Sequence, residues 1–383
     1  MKSFDHHPQT RIVFGPDKID TLGELAVQLG AQRAMVVTDP GIVAAGHVGR
    51  GQAALQNAGL ECFVYEGVHE NPTTDDVEDC LVVTQTIEPD LIVGLGGGSS
   101  MDCAKAVNFL FTGGGRMEDY WGVGKASRPM LPMIAVPTTA GTGSETQSFA
   151  LISDAETRVK MACGDKKAAF RIALLDPKLT ITQPGVVTAV TGIDALSHAL
   201  ETYVTAPRNP VSLAFSREAW QLLAVHFPRV LEKPDDVDAR GGMQLGACFA
   251  GLAIENSMLG AGHALANPLT ARFGIVHGQA IALMLPHVIR YNGAEVKAWY
   301  DELIDIVPAD GEFPARADGI EGLADFVTQL STKAGLATHL SKVGVAAGDL
   351  PMLASEAAKQ WTATFNPRKV TERELLGLYE AAY

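Results

Sequence analysis

Apolar positions in the first half of the chain come in short runs, separated by stretches where they fall into helical spacing. TRIVF (residues 10–14) reads as a strand ending at Gly15-Pro16, and residues 19–29 follow with helical periodicity up to Gly30. AMVVTDP (residues 34–40) is a β-branched run closed by Asp39-Pro40-Gly41, the signature of a strand buried on both faces. The alternation continues with a helix over 43–58, a strand over 61–65 and a helix over 74–87. In DLIVGLGGGSSMDCAKAV (residues 90–107) a strand passes through a Gly-rich turn into a helix, and further strands are expected at 131–136, 149–152, 158–162 and 171–175. This order predicts an open, parallel α/β sheet.

After Pro184 the period changes. Helical patterns run at about 185–204, 211–231, 239–258, 279–291, 320–335 and 350–361, with no convincing strand among them. LDPKLTITQPG, with two prolines and a glycine, places a boundary near residue 180, dividing the chain into 1–181 and 182–383. IVPADGEFPARAD (residues 306–318) reads as a surface loop, and there is no internal repeat or low-complexity tract.

Composition narrows the class. A chain of 383 residues, 47% hydrophobic and 19% charged, can bury two full cores and is not a disordered sequence. A net charge of −14 argues against nucleic acid or an anionic membrane as partner. Five cysteines without a Cys-x-x-Cys pair suit reduced core positions in the cytoplasm. No apolar core marks the first twenty residues as a signal peptide, and no run of eighteen apolar residues suggests a membrane span.

The candidate chemistry begins in GIDALSHALETYV (residues 192–204). Asp194 and His198 stand four apart in a helical pattern, so a carboxylate and an imidazole share one helix face. GHALANPLTARFGIVHG adds His263 and His277, completing a set of one carboxylate and three imidazoles suited to a catalytic metal. The competing reading of the first pair is a hydrogen-bonded core pair without a metal; several buried imidazoles lacking a shared task would be costly.

GLGGGSSMD (residues 94–102) follows a strand and opens a helix, where bare backbone N–H groups and the helix dipole favour a phosphate. Such turns also occur without ligands, and this one departs from G-x-G-x-x-G because Ser99 replaces the third glycine. The acid that would bind a ribose, Asp39, precedes the turn, so the sheet has a connectivity other than the usual Rossmann one. PTTAGTGSETQ (residues 137–147) is rich in hydroxyls and suits either a ligand loop or a solvated turn.

Taken together, GGGSSMDCAK, PTTAGTGSE, Asp194 with His198, and His263 with His277 resemble the iron-dependent (group III) alcohol dehydrogenase family, from about residue 10 to the NPR near 366. The resemblance implies a dehydroquinate synthase-like α/β domain for nucleotide binding over 1–181 and an all-helical, metal-binding domain over 182–383. It assigns Asp194, His198, His263 and His277 to the metal, and Gly97, Gly98, Ser99 and Asp102 to the dinucleotide. Thr138, Thr139, Thr142 and Ser144 match its second cofactor loop, Lys160 a ribose contact, and Asn71 and Leu179 looser cofactor contacts. Phe149, Ile254 and Leu259 flank the substrate site by family position, and read as well as core residues. Many members carry a histidine four residues after the third ligand; this chain has Asn267, an amide that cannot exchange a proton.

The expected activity is hydride transfer between NAD(H) and a small alcohol or aldehyde, in a cytoplasmic homodimer, with iron(II) or zinc(II) polarising the substrate oxygen. NAD is expected over NADP because no Lys or Arg follows Asp39 in Pro40–Gly41–Ile42–Val43. The rival enzyme is a dehydroquinate synthase-like or glycerol dehydrogenase-like zinc protein on the same fold. A phosphate substrate would need a basic cluster, and the ligand stretches offer only Arg272.

Overall fold

The computed structural model describes residues 4–157, 159–307 and 319–383. Among the described residues the strands are β1 (Arg11–Phe14), β2 (Arg33–Val37), β3 (Glu61–Tyr65), β4 (Leu91–Gly96), β5 (Gly122–Val123), β6 (Met133–Pro137), β7 (Phe149–Ser153), β8 (Lys160–Gly164) and β9 (Ile172–Leu175). Helices α1 (Leu22–Gln28), α2 (Pro40–Ala44), α3 (His47–Asn57), α4 (Thr74–Ile87) and α5 (Gly98–Gly113) lie between them in sequence. The helical half comprises α6 (Gly185–Val204), α7 (Pro210–Glu232), α8 (Val237–Glu255), α9 (Ala261–Phe273), α10 (His277–Ile306), α11 (Gly319–Lys333), α12 (Leu350–Ala357) and α13 (Glu372–Ala382). The chain forms two compact units: one spans His7–Gln183, and the other holds residues 4–6 with the described part of Pro184–Tyr383.

In the α/β unit, six strands pair in the order β1-β9-β6-β4-β2-β3. All of these pairings are parallel. Alternate residues explain why the strands read as unbroken apolar runs. Met35, Val37, Ile92, Met133 and Ala135 face one core with Val77, Cys80, Met101 and Phe109, from α4 and α5. Ala34, Val36, Leu91, Val93, Ile134 and Val136 face the other with Leu22, Leu25, Val48 and Leu55, from α1 and α3.

The strand order reverses between β2 and β4, neighbours in the sheet whose onward connections lead to opposite sides. The crevice at the carboxyl ends of such a pair is where open α/β sheets take ligands. Asp39 and the Gly-rich turn both stand there.

In the α/β unit two of the expected elements come out differently. The expected helix over 43–58 is broken, because Gly46 (φ +82°) ends α2 and starts α3. The strands at 149–152 and 158–162 do not join the main sheet. They form the antiparallel pair β7–β8, with β5 beside β8. The connection between them is too short for a parallel crossover, which needs a dozen or more residues.

The helical unit contains no strand among its described residues. α9 and α13 are added to the expected set, and α10 runs well past the predicted end at 291. The expected loop at 306–318 falls almost wholly outside the described residues. Among those described, no helix is long and apolar enough to cross a membrane.

Candidate metal and dinucleotide site

Three helix segments of one unit bring the four metal candidates together. Asp194 and His198 project from α6, His263 from the first turn of α9, and His277 is the first residue of α10. The start of α10 lies directly on α6. A Cβ at Gly278 would stand 2.0 Å from the Val190 carbonyl oxygen, so only glycine permits the approach that brings His277 to Asp194.

Asp194 Oδ1 faces Nε2 of His198 at 3.3 Å, of His263 at 3.5 Å and of His277 at 3.6 Å. Nε2 of His198 and His263 are 3.0 Å apart. Asp194 Oδ1 is buried and makes no hydrogen bond of its own. Four donor atoms bound about 2.0–2.1 Å from a tetrahedral ion would stand about 3.3 Å apart. The separations of Asp194 from the three histidines and of His198 from His263 fall at 3.0–3.6 Å, and Asp194, His263 and His277 offer ligand atoms that all lie within 4.8 Å of one another. The residues therefore fit a divalent cation.

The electrostatics agree. Burial opposes charge on His263, but the carboxylates of Asp194 and Glu201 outweigh it and hold the imidazole at about 9. Burial would likewise raise Asp194, yet the three histidines hold its carboxyl well below the usual range. The centre is built to keep positive charge. His277 is 30% exposed at the side chain, against 6% for His198 and His263, so the open side of the cluster lies at His277.

Glu201 escaped the sequence reading. It extends the Asp194–His198 face by one more turn of α6, a D-x-x-x-H-x-x-E spacing that is visible once the helix is accepted. Asn267 lies one turn beyond His263 on α9, and its Nδ2 donates to Gln360 Oε1 at 3.1 Å. Arg272 forks Glu356 with hydrogen bonds of 2.9 and 3.1 Å and is 56% exposed, so it supplies no basic cluster at the ligands. Ile254 is buried on α8, and Leu259 is half-buried between α8 and α9.

The dinucleotide candidates all belong to the α/β unit. Asp39 caps α2, with Oδ1 accepting from Gly41 N–H (2.9 Å) and Ile42 N–H (3.1 Å). Its Oδ2 accepts from Ser100 Oγ at 3.3 Å, which ties the end of β2 to the Gly-rich turn. Gly96 (φ +151°) is required in that turn, because a Cβ would also meet Ser100 Oγ at 2.4 Å. Gly97 is the N-cap of α5 and no side chain caps it, so the first amides of a sixteen-residue helix point to an open mouth. Asn71 N–H donates to Ser99 Oγ at 3.3 Å.

The two proposed cofactor loops are packed on each other. A Cβ at Gly98 would lie 2.8 Å from Thr142 Cγ2, and one at Gly97 3.5 Å from Thr139 Cγ2. Thr138 Oγ1 is buried without a hydrogen-bond partner, a polar atom available to a ligand. Ser144 Oγ donates to Asp102 Oδ1 at 2.6 Å. Burial raises the Asp102 carboxyl, with Lys105, Ser144 and Lys160 pulling the other way.

Lys105 also escaped the sequence reading. Fully buried, it donates to Ser144 O (2.8 Å), Ser144 Oγ (2.7 Å) and Phe149 O (2.8 Å), holding the second loop to α5. Its signal was the i+3 spacing from Asp102. Phe149 starts β7 opposite Gly164, and Leu179 lies in the core under the sheet.

Residues 8–177 match the family model for iron-containing alcohol dehydrogenase, and residues 188–383 match the model for the C-terminal part of the Fe-containing alcohol dehydrogenase family. The chain is 34% identical to 1,3-propanediol dehydrogenase of Klebsiella pneumoniae, over all of this chain (100%) and 99% of the relative. It is 30% identical to the NAD-dependent methanol dehydrogenase of Bacillus methanolicus over 97% of each chain. The crystal structure of a 1,3-propanediol oxidoreductase superposes over 100% of both chains, with a TM-score of 0.95 and 34% identity. With both halves matched in order and over nearly their whole length, this chain belongs to the iron-containing alcohol dehydrogenase family.

Proposed function

We propose that the chain moves hydride between NAD(H) and a small alcohol or aldehyde, with Asp194, His198, His263 and His277 holding iron(II) or zinc(II). The observation that carries this is the convergence of three imidazole nitrogens on one buried carboxylate oxygen at 3.3–3.6 Å. In this reading the α/β part (1–181) binds the dinucleotide and the helical part (182–383) binds the metal. Gly97, Gly98, Ser99, Thr138, Thr139, Thr142 and Ser144 hold the pyrophosphate side, with Asn71, Asp102, Lys160 and Leu179 around them. The uncapped start of α5 and the unpartnered Thr138 hydroxyl support that assignment. Asp39 takes the ribose.

When bound, the metal supplies a Lewis acid at the substrate oxygen and the nicotinamide accepts or delivers the hydride. The side chains do the rest. The buried ligands fix the site, and the more exposed His277 leaves the approach for a small substrate. Phe149, Ile254 and Leu259 favour an apolar one. The Asn267 amide, anchored to Gln360, neither takes nor gives a proton, so the alcohol proton leaves by way of solvent, the cofactor ribose or another residue. Asn267→His is therefore expected to add a group titrating near neutrality to the pH profile of kcat/KM. An unchanged profile would place residue 267 outside the proton path.

A cytoplasmic homodimer remains part of the proposal. Five cysteines without a disulfide suit a reducing compartment, and β1 leaves a sheet edge with Phe14 exposed. The test of the activity is metal removal. Chelator-treated protein should lose NADH oxidation with short aldehydes and recover it when iron(II) or zinc(II) is returned; turnover that survives complete stripping would rule the reading out.

A further inference from the structure

Glu201 is 3% exposed and turned toward the metal candidates. Its Oε2 accepts from His263 Nδ1 at 2.6 Å and its Oε1 from the Gly262 N–H at 2.7 Å. An ionised carboxylate can only accept, so Nδ1 of His263 carries a proton, and a ring that is neutral, as a metal ligand must be, then has its lone pair on Nε2. Nε2 is the atom aimed at Asp194 and His198.

The backbone leading into His263 is pinned by separate groups. Asn366 Oδ1 accepts from the Ala261 N–H at 3.2 Å, and Asn366 and Asn292 exchange amide hydrogen bonds of 2.7 and 3.1 Å. Residues 261, 262 and 263 thus each meet a buried acceptor. Of these acceptors, Glu201 is the one that bonds the ring, at Nδ1.

We propose that Glu201 is a positioning residue for the metal, fixing the tautomer and ring orientation of His263. This rests on reading Asp194, His198, His263 and His277 as metal ligands. The competing role is structural, a carboxylate that merely caps the first turn of α9 through Gly262.

Glu201→Gln separates the two. Gly262 N–H and His263 Nδ1–H meet different carboxylate oxygens, and a glutamine held in the same place offers an acceptor at only one of those two positions. Either an amide proton faces Gly262, or the amide nitrogen faces His263 and drives the ring proton onto Nε2, where the metal belongs. The wild type and Glu201→Gln are stripped with chelator and titrated with Co(II) alone, following visible absorption. NADH binding is followed in parallel as a check on the fold.

The expected result is a 10–100-fold weaker Co(II) affinity and an altered spectrum in Glu201→Gln, with unchanged NADH affinity. In a His263→Ala background the same substitution should alter Co(II) affinity by less than about twofold, because Glu201 acts through His263. If Glu201→Gln does not fold, Glu201→Asp replaces it. That variant keeps the charge but is one methylene short of the ring, and the same loss is expected. Wild-type affinity and spectrum in the variant, or an equal loss in the His263→Ala background, overturns the inference while leaving the metal reading intact. A wild type that takes up no Co(II) overturns both.

Discussion

Asp194→Asn and His263→Ala are expected to lower turnover by about a thousandfold or more, since a Lewis acid contributes several kcal/mol and each 1.36 kcal/mol is tenfold. Both residues are buried at the centre of the cluster, at 6% and 5% exposure, so the cavity left behind gains no replacement ligand from solvent-exposed side chains. Asp194→Asn has a second effect. It removes the negative charge that faces three imidazoles, while keeping the shape of the side chain. Dinucleotide affinity should be nearly unchanged, because the Gly-rich turn and the Thr138–Ser144 loop belong to the other compact unit. Elemental analysis, NADH fluorescence titration and kcat measured on the same preparations separate these effects. Full activity in a His263→Ala protein stripped of metal would remove the four residues from the chemistry.

How much of this could be read from the sequence depended on whether a signal was local. β2, β4 and β6 are continuous apolar runs because both faces of the sheet are covered, and α6 was legible over its whole length because its period is unbroken. α9 was not. Its interior holds Asn267-Pro268, a pair that ordinarily ends a helix, and it is flanked by Gly260 and Gly274. α13 was missed despite a local signal, since Thr371 and Glu374 form a capping box at its start.

Long-range placement was legible only in part. The spacing of Asp194 and His198 announced a shared helix face, but nothing local brings His263 and His277 to it. That depends on Gly278 lying against Val190 and on Asn366 gripping the start of α9 across the unit. Glu201 and Lys105 were overlooked for one reason. A charged residue in a helix is ordinarily solvated, and only the fold shows these two buried and fully engaged.

Asp39 is the residue on which cofactor choice is expected to turn. The sequence allowed two roles, a ribose ligand or a cap for the following turn, and the structure shows the cap is made: Oδ1 accepts from Gly41 and Ile42. A cap does not consume the carboxylate. Oδ2 is held by Ser100 Oγ alone at 3.3 Å, at the mouth of the Gly-rich turn, and the side chain is only half-buried. A 2′-phosphate brought to that mouth would meet a fixed negative charge, a contact that costs about 1–3 kcal/mol at an intermediate effective dielectric. At 1.4 kcal/mol per decade this is a preference of roughly fivefold to somewhat over a hundredfold for NADH over NADPH. Asp39→Asn tests the charge without the cap, since asparagine caps a helix as well as aspartate does. It should narrow the ratio of kcat/KM for NADH and NADPH and leave the melting temperature unchanged. Asp39→Gly should narrow or reverse the ratio as well, with a stability loss of only a few tenths of a kcal/mol. If Asp39 serves α2 alone, both variants will keep the wild-type ratio. A wild type that already prefers NADPH would show that selection is made elsewhere.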